Sequence, residues 1–240
     1  MILNIAGLNV KITPRYELLA SRITDEYTAP DSANPDFSIN IIPGYLEQKQ
    51  KENPHLTLAD CEYIWSGEAV FASMLDFGGF MLHASAVALD GESAYLFSAR
   101  SGTGKSTHTH LWLDYFGSDR AKIINDDKPI LRLIDGKFYA FGSPWSGKTD
   151  ENMNAKIPLR AIAFLERAQI NSIEKISPVA ALPLVLNQTV RPLDEERMTR
   201  LLALLDRLLT DVPVYRLKCD MSHQAVETAY NTMSRKDEAK

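Results

Sequence analysis

Apolar and polar residues follow two different periods along the chain, and together they predict a protein that mixes strands with helices. Alternation over several residues is typical of half-buried strands, and short uninterrupted apolar runs are typical of strands buried on both faces. Apolar residues repeated every three to four positions predict amphipathic helices. The order of these segments predicts an α/β fold: a twisted mixed sheet flanked by helices, preceded by a small β-rich subdomain.

Residues 1–75 are expected to form the β-rich N-terminal subdomain and a helix that connects it to the rest of the chain. Alternating segments predict its strands, and a stretch rich in Gln, Glu and Lys predicts a polar linker. The predicted elements are strands at residues 2–5, 8–12 and 36–42, a helix at residues 16–27, a linker at residues 48–54 and a helix at residues 57–75.

Residues 76–235 are expected to form the main domain, and residues 236–240 a charged tail. The predicted helix at residues 195–210 has Leu201, Leu202, Leu205, Leu208 and Leu209 on one face. We interpret this face as packing on the sheet rather than as a partner-binding surface, because helices normally cover sheets in this way. Strands are predicted at residues 80–89, 93–97, 121–125, 129–133, 137–141, 159–166 and 212–217, and further helices at residues 107–116, 177–187 and 222–233.

Composition narrows the class of protein. The chain has 240 residues, of which 45% are hydrophobic and 24% charged, as in ordinary globular proteins. Its net charge of −5 gives no basic field that would draw nucleic acid or an anionic membrane. The first residues lack the basic and apolar regions of a signal peptide, no apolar run is long enough to span a bilayer, and the two cysteines form no C-x-x-C motif. We therefore expect a cytoplasmic protein.

Residues 98–107 (SARSGTGKST) have the form of a phosphate-binding loop, with Ala99 in the place of the first glycine. The segment follows a predicted buried strand and opens a predicted helix, which is the context that such a loop needs. Backbone N–H groups of the loop would surround phosphates at the positive end of the helix. Lys105 would reach the outer phosphates, and the Ser106 hydroxyl would ligate Mg²⁺. The alternative is a Gly/Ser turn that contains a lysine.

Two adjacent carboxylates, Asp126 and Asp127, follow the predicted strand at residues 121–125. Phosphoryl transfer needs a metal ion and usually a group that orients or deprotonates the acceptor. One aspartate would hold Mg²⁺ while the other acts as general base on an incoming hydroxyl. Adjacent residues leave a strand on opposite sides, so both can face one site only if the strand ends there. The alternative is an acidic turn that caps a strand.

Several other polar residues leave a functional and a structural interpretation open. His83, in an apolar segment, is either a hydrogen-bonded core residue or a contact to the transferring phosphoryl group. His108 and His110 point to different faces of a helix and are interpreted as surface or supporting groups rather than metal ligands. The loop at residues 142–149 is either a flap over the site or a plain surface loop. Arg191 is either a phosphate contact or, as we favour, a solvated side chain.

Three segments, in their order along the chain, resemble the core of the HPr kinase/phosphorylase family, which belongs to the wider phosphoenolpyruvate-carboxykinase-like group of P-loop proteins. They are residues 83–87 (HASAV), 99–106 (ARSGTGKS) and 124–128 (INDDK). Members place a histidine on a strand, then the loop, then an Asp-Asp pair after a short helix and strand. That short gap distinguishes them from most other P-loop proteins. The resemblance covers roughly residues 80–132 and implies a phosphoenolpyruvate-carboxykinase-like P-loop fold.

The resemblance also implies roles for individual residues. Asp126 would be the general base, His83 a neighbour of the phosphoryl group, and Lys105 a catalytic cation. ATP contacts would come from Ser101, Gly102, Thr103, Gly104, Lys105, Ser106 and Thr107, and Mg²⁺ ligands from Ser106 and Asp127. Members often form homo-oligomers, although no interface is visible in this sequence.

The chain departs from HPr kinases in three respects. Thr107 stands where those kinases usually have glutamate, no counterpart of their C-terminal substrate-binding loop and helix is found, and the N-terminal unit differs from theirs. HPr is therefore not the expected substrate. The sequence predicts an ATP- and Mg²⁺-dependent kinase for a serine hydroxyl, free or in a peptide or protein, with no nucleic-acid or membrane partner. The alternatives are a catalytically silent nucleotide-binding regulatory module, and carboxykinase chemistry on a keto acid, whose additional ligands cannot be placed in this sequence.

Overall fold

The computed structural model describes residues 1–30, 32–42 and 44–235, and the tail predicted at residues 236–240 lies outside them. A three-stranded sheet at the N-terminus is separate from the main sheet. Its strands are β1 (Ile2–Ile5), β2 (Leu8–Lys11) and β3 (Phe37–Ser38), and the helices beside it are α1 (Glu17–Arg22), α2 (Tyr45–Glu52) and α3 (Leu58–Met74). The predicted β-rich N-terminal unit is thus present, while the domain boundary after residue 75 stays a prediction.

The main sheet has nine strands within the described residues, and it is mixed and curled. The strands are β4 (Gly79–Met81), β5 (Ala84–Leu89), β6 (Ser93–Ser98), β7 (Ala121–Asn125), β8 (Ile130–Ile134), β9 (Lys137–Phe141), β10 (Lys156–Arg167), β11 (Ser172–Lys175) and β12 (Val214–Cys219). The helices are α4 (Lys105–Phe116), α5 (Pro178–Leu186), α6 (Glu195–Asp211) and α7 (His223–Met233). The order is β4-β8-β9-β10-β6-β5-β7, with β12 also pairing β10 and β11 pairing β12. The predicted α/β fold is confirmed.

The two faces of the central strands are covered by different helices. Leu96 and Ile162 are buried in one core cluster with leucines of α6, whereas their neighbours Phe97 and Ala163 are buried in another with residues of α4 and α7. This alternation is the period-two pattern of strands buried on both faces. No helix in the described ranges combines the length and the apolar character needed to cross a membrane.

Helix α6 packs on the sheet as predicted, with one exception on its apolar face. Leu201, Leu205, Leu208 and Leu209 are buried, whereas Leu202 is 45% exposed. Leu204 is buried instead. The helix is rotated slightly from the face that we predicted.

The directions of the strands bring several chain segments to one edge of the sheet. Strands β6 and β7 are both antiparallel to β5, so their carboxyl ends lie at the edge where β5 begins. Strands β10 and β12 run parallel to β6 and end at the same edge. The phosphate-binding loop follows β6, the Asp-Asp pair follows β7, and His83 directly precedes β5. The fold therefore places all three motifs together.

The polar linker predicted at residues 48–54 is wrong, since residues 45–52 form α2. Glu, Gln and Lys are polar but are also good helix formers, so polarity alone does not indicate a linker. Side-chain contacts from Gln48 and Lys49 to Glu52 span four and three positions, respectively, and support the helix. Leu46 is its buried residue.

The strand predicted at residues 80–89 is two strands with different neighbours. β4 pairs with β8, and β5 pairs with β6 and β7. Between them the N–H of His83 donates to the carbonyl of Gln188 at 2.6 Å, outside either ladder. The uniform hydrophobicity of this segment hides the break. The strand predicted at residues 36–42 is shortened to β3, β10 begins earlier than predicted, and β11 was not predicted.

Candidate active site

The predicted phosphate-binding loop connects β6 to α4, and Gly104 is the N-cap of that helix. Gly102 has a φ of 77° and Gly104 a φ of 121°, conformations that favour glycine. The guanidinium of Arg167 donates to the carbonyl of Thr103 at 2.9 Å and also to that of Gly102. Arg167, at the end of β10, thus holds two carbonyls of the loop.

Lys105 is buried in the first turn of α4, with its Nζ 3.5 Å from the carbonyl oxygen of Ala99. Burial lowers the pKa of Lys105, and the carboxylates of Asp127 and Asp126 partly oppose that effect. The ammonium group is therefore close to both aspartates. A phosphate chain placed in the loop would meet this cation.

Asp126 is buried, and both of its carboxylate oxygens accept hydrogen bonds from hydroxyl groups. Ser85 in β5 donates to Oδ1 at 2.6 Å, and Thr149 donates to Oδ2 at 2.9 Å. The Ser85 hydroxyl is also 2.8 Å from the hydroxyl of Thr109 in α4. Asp126 is thereby linked to the helix that begins with Lys105.

Asp127 lies beside Asp126 because the strand ends in a turn held by Asn125. The side-chain oxygen of Asn125 accepts the N–H groups of Asp127 at 2.9 Å and Lys128 at 2.6 Å. Both aspartates line the same cavity, as expected for an adjacent pair that lies where a strand ends.

The carboxylate of Asp127 is bracketed by two basic side chains. Its Oδ1 is 3.2 Å from Nε2 of His83, and its Oδ2 accepts a hydrogen bond from Lys128 at 2.6 Å. Burial by itself raises the pKa of Asp127, but the hydrogen bond from His83 and the charge of Lys128 outweigh it and hold that pKa well below its usual range. The carboxylate of Asp127 is therefore held in its charged form.

His83 is not a core residue: it is partly exposed and lines the cavity. Its Nδ1 is 2.8 Å from Oε1 of Gln188, which fixes the plane of the ring, and its Nε2 faces Asp127. The structure thus places His83 at the Asp-Asp pair.

The two histidines of α4 differ in their surroundings. His108 is buried rather than at the surface, and its Nε2 accepts a hydrogen bond from Nε1 of Trp112 at 3.2 Å. Burial lowers the pKa of His108 to about 4. His110 is 2.7 Å from the carbonyl oxygen of Ser106 and pairs with Glu151. Burial lowers the pKa of His110, but these two contacts outweigh it and raise the pKa overall.

A cavity of about 950 Å³ joins the loop, the Asp-Asp pair and His83, and all the predicted site residues line it. This volume is at the upper end of the range of small-molecule sites. Apolar side chains form two further parts of its wall. Leu18, Leu56 and Ile64 come from the N-terminal unit and α3, and Leu111, Leu165, Ala168 and Met221 come from α4 and the ends of β10 and β12.

The loop at residues 142–149 belongs to the site, because Thr149 reaches Asp126 and residues 146–149 line the cavity. Tyr63 of α3 accepts the N–H of Gly147 at 3.1 Å, and Arg22 of α1 donates to the carbonyl of Gly147 at 2.6 Å. Trp145, 1% exposed, anchors the loop beneath α3. Arg22 and Tyr63 therefore position a segment of the candidate site.

Sequence analysis missed four contributors to the site: Ser85, Thr149, Gln188 and Arg167. Thr149 lies in a loop for which we left both interpretations open, and Ser85 lies within the segment that carries the family resemblance. No sequence motif around Gln188 or Arg167 indicated that they belong to the site. Arg191 is exposed and does not line the cavity, in agreement with the solvated side chain that we favoured.

Metal-binding groups in the site are few. Among the described residues, no group of three or more His, Cys, Asp or Glu side chains is placed to hold a metal ion. Asp127 and the half-buried Ser106 both line the cavity. Mg²⁺ bound with a nucleotide takes only one or two protein oxygens and completes its shell with phosphates and water.

Comparison with known proteins finds distant similarity among solved structures. No protein-family model matches the chain, and no curated protein matches it. Among solved structures, the Hpr(Ser) kinase/phosphatase from Coxiella burnetii is similar, with 12% identity and a TM-score of 0.38 over 64% of this chain and 95% of that chain. At these values the likeness is a distant one, at the level of the fold.

Proposed function

We propose that this protein is a kinase that transfers the γ-phosphate of ATP, with Mg²⁺, to a hydroxyl group, the preferred acceptor being a serine, free or in a peptide or protein. One observation carries the proposal. Asp126, a buried carboxylate, holds the hydroxyl of Thr149 at 2.9 Å in the cavity that contains the phosphate-binding loop. A carboxylate that holds an alcohol beside a phosphate site is arranged as a general base for phosphoryl transfer.

The nucleotide would bind with its phosphates in the loop at residues 99–106. The positive φ angles of Gly102 and Gly104 let the loop turn tightly around phosphate oxygens, and α4 begins immediately afterwards. Its N-terminal N–H groups and the buried ammonium of Lys105 would offset the phosphate charge. Phosphate oxygens would also compensate the burial that lowers the pKa of Lys105, since they supply negative charge at that position.

Asp126 would take the proton of the acceptor. Its Oδ1 is fixed by Ser85, which is itself held by Thr109, so the base has a set position relative to α4. Its Oδ2 is the oxygen that already holds an alcohol. In the transfer, the acceptor oxygen bonds to the γ-phosphorus, the bond to the β–γ bridging oxygen breaks, and the acceptor proton moves to Asp126. ADP leaves with the bridging oxygen.

Mg²⁺ would be held by Asp127 and Ser106. Asp127 fits this role because its low pKa keeps it charged and because the Lys128 ammonium already occupies a cation position at Oδ2, 2.6 Å away. When bound, the ion supplies charge compensation for the transferring phosphoryl group. His83, held by Gln188, orients Asp127 from the other oxygen and is close enough to the pair to contact the phosphoryl group.

Replacement of Asp126 by Asn tests the proposal. We expect Asp126→Asn to lower the rate of phosphate transfer to a serine acceptor about 10²–10⁴-fold, the usual contribution of a general base. ATP affinity should stay within a few-fold of wild type, because the amide keeps the shape of the carboxylate. Asp114→Asn, on the exposed side of α4, is the matched control and should change neither.

Two results would contradict the proposal. Undiminished transfer by Asp126→Asn would show that Asp126 is not the general base and would refute the proposed mechanism. ATP binding by the wild type without transfer to any of a panel of free serine, serine peptides and proteins would instead favour the silent nucleotide-binding module.

A further inference from the structure

We propose that Thr149 is itself a phosphorylation site, modified by the active site of its own chain. This inference rests on the proposed kinase function and extends it to an acceptor that the structure contains. Its basis is the hydrogen bond from Thr149 Oγ1 to Asp126 Oδ2 at 2.9 Å. The alcohol bound to the general base is the one positioned to be phosphorylated.

Of the two residues whose hydroxyls bond to Asp126, Thr149 lines the cavity and Ser85 does not. Ser85 is fully buried in the central strand β5, and its hydroxyl is engaged by both Asp126 and Thr109. Thr149 is exposed, lies on a loop, and lines the cavity together with the phosphate-binding loop. Its accessibility and its contact with the base single it out.

The position of Thr149 is imposed by the structure around it. Arg22 donates to the carbonyl of Gly147 and to the carboxylate of Asp150, and Tyr63 accepts the N–H of Gly147. Gly147 in turn lies against Asp127: a Cβ at Gly147 would be 2.7 Å from the Asp127 Cβ. The loop is therefore fixed on one side by the N-terminal unit and on the other by the Asp-Asp pair.

Charges around Thr149 suit a phosphorylated product. Lys105, Lys128 and Lys148 line the same cavity and would attract a phosphate on this residue. Asp126 and Asp127 oppose it, as they would oppose any product at this site, and Mg²⁺ bound at Asp127 would reduce that repulsion. In the reaction, Thr149 Oγ1 bonds to the γ-phosphorus, its proton passes to Asp126, the bridging oxygen–phosphorus bond breaks, and ADP leaves.

The test is incubation of the full chain with Mg²⁺ and ATP alone, followed by peptide mass spectrometry. We expect a single phosphate on residue 149, formed at a rate per molecule that does not change with protein concentration. Thr149→Val, which has the same shape without the hydroxyl, should lose the phosphate. Thr149→Ser should keep it at the same position, and Thr199→Val, on the exposed side of α6, should be labelled like wild type.

Parallel reactions with serine acceptors, assayed for ADP, separate this inference from the proposed function. Transfer to an added acceptor with no phosphate on residue 149 would overturn the inference and leave the kinase function standing. Phosphate on a different residue, or a rate that rises with protein concentration, would also overturn it. Neither transfer nor ADP formation in any reaction would overturn both.

Discussion

A methyl group added at Gly67 is expected to destabilise the protein, although it improves the helix. Gly67 lies inside α3, where replacement of Gly by Ala normally stabilises by about 0.5–1 kcal/mol. Here the added Cβ would lie 2.7 Å from Cδ1, 2.9 Å from Nε1 and 3.0 Å from Cγ of Trp145. Trp145 is 1% exposed and its Nε1 donates to Ser66, so it has little freedom to move away.

The size of the effect follows from two opposing terms. Overpacking of a buried contact costs about 1–3 kcal/mol, which exceeds the gain in helix propensity. We expect Gly67→Ala to lower the free energy of unfolding by about 1–2 kcal/mol, a fall in Tm of roughly 2–8 °C for a chain of this size. Because Trp145 anchors the loop that carries Thr149, phosphate transfer should fall as well.

A double-mutant cycle tests the contact between residue 67 and Trp145 directly. Trp145→Ala removes the three ring atoms that the new methyl would meet. In that background Gly67→Ala should stabilise by about 0.5–1 kcal/mol, the helix-propensity gain alone, so the sign of its effect reverses. Urea unfolding followed by circular dichroism measures all four proteins. An increase in stability for Gly67→Ala on its own would refute the close approach of Trp145 to α3.

Three further predictions test other parts of the molecule. The folded-state pKa of His108, about 4, is below the ordinary 6.5, so the unfolded chain takes up the proton first and stability falls as pH drops from 6.5 towards 4. Between pH 7 and pH 5 the wild type should lose about 2 kcal/mol more than His108→Gln in urea unfolding, and equal losses would contradict the buried neutral imidazole. Gly142→Ala would place a Cβ 2.0 Å from the carbonyl oxygen of Met153 and 2.6 Å from that of Ile124. Because both are backbone atoms, we expect the free energy of unfolding to fall by about 3 kcal/mol. A urea midpoint close to that of the wild type would count against this packing. Arg167→Ala releases the carbonyls of Gly102 and Thr103 and should weaken ATP binding about fivefold in calorimetry, whereas unchanged affinity would show that the loop keeps its shape without Arg167.

The parts of the site that could be predicted from sequence are those determined by neighbouring residues. The loop needs glycine at positions 102 and 104 because those residues have positive φ, and its lysine follows at the start of the helix. The Asp-Asp pair turns towards the cavity because the side chain of Asn125 closes the strand locally. Short-range chemistry of this kind is visible in a single sequence.

The contacts that sequence analysis missed join residues far apart in the chain. Thr149 meets Asp126 across 23 positions, and Ser85 meets it across 41. Neither pairing has a local cause: the first depends on Trp145 packing beneath α3, and the second on the neighbouring positions of β5 and β7. The burial of His108 was missed for a related reason, since the ring of Phe97 lies against it only when α4 packs on β6. Contacts of this kind are determined by tertiary packing and are not visible in the local sequence.

The short gap between the phosphate-binding loop and the Asp-Asp pair is a consequence of topology. The chain forms the hairpin of β5 and β6, passes through α4, and returns in β7 on the other side of β5. The start of β5 therefore lies between the two motifs, with His83 just before it and Ser85 within it, so the loop, Asp126 and His83 are attached to neighbouring strands of one sheet. The loop that carries Thr149 is instead held at Gly147 by Arg22 and Tyr63 of the N-terminal unit. A displacement of that unit would change the distance from Thr149 to Asp126. Under the mechanism proposed above, access of another acceptor to Asp126 would therefore depend on the contacts of Arg22 and Tyr63 with Gly147.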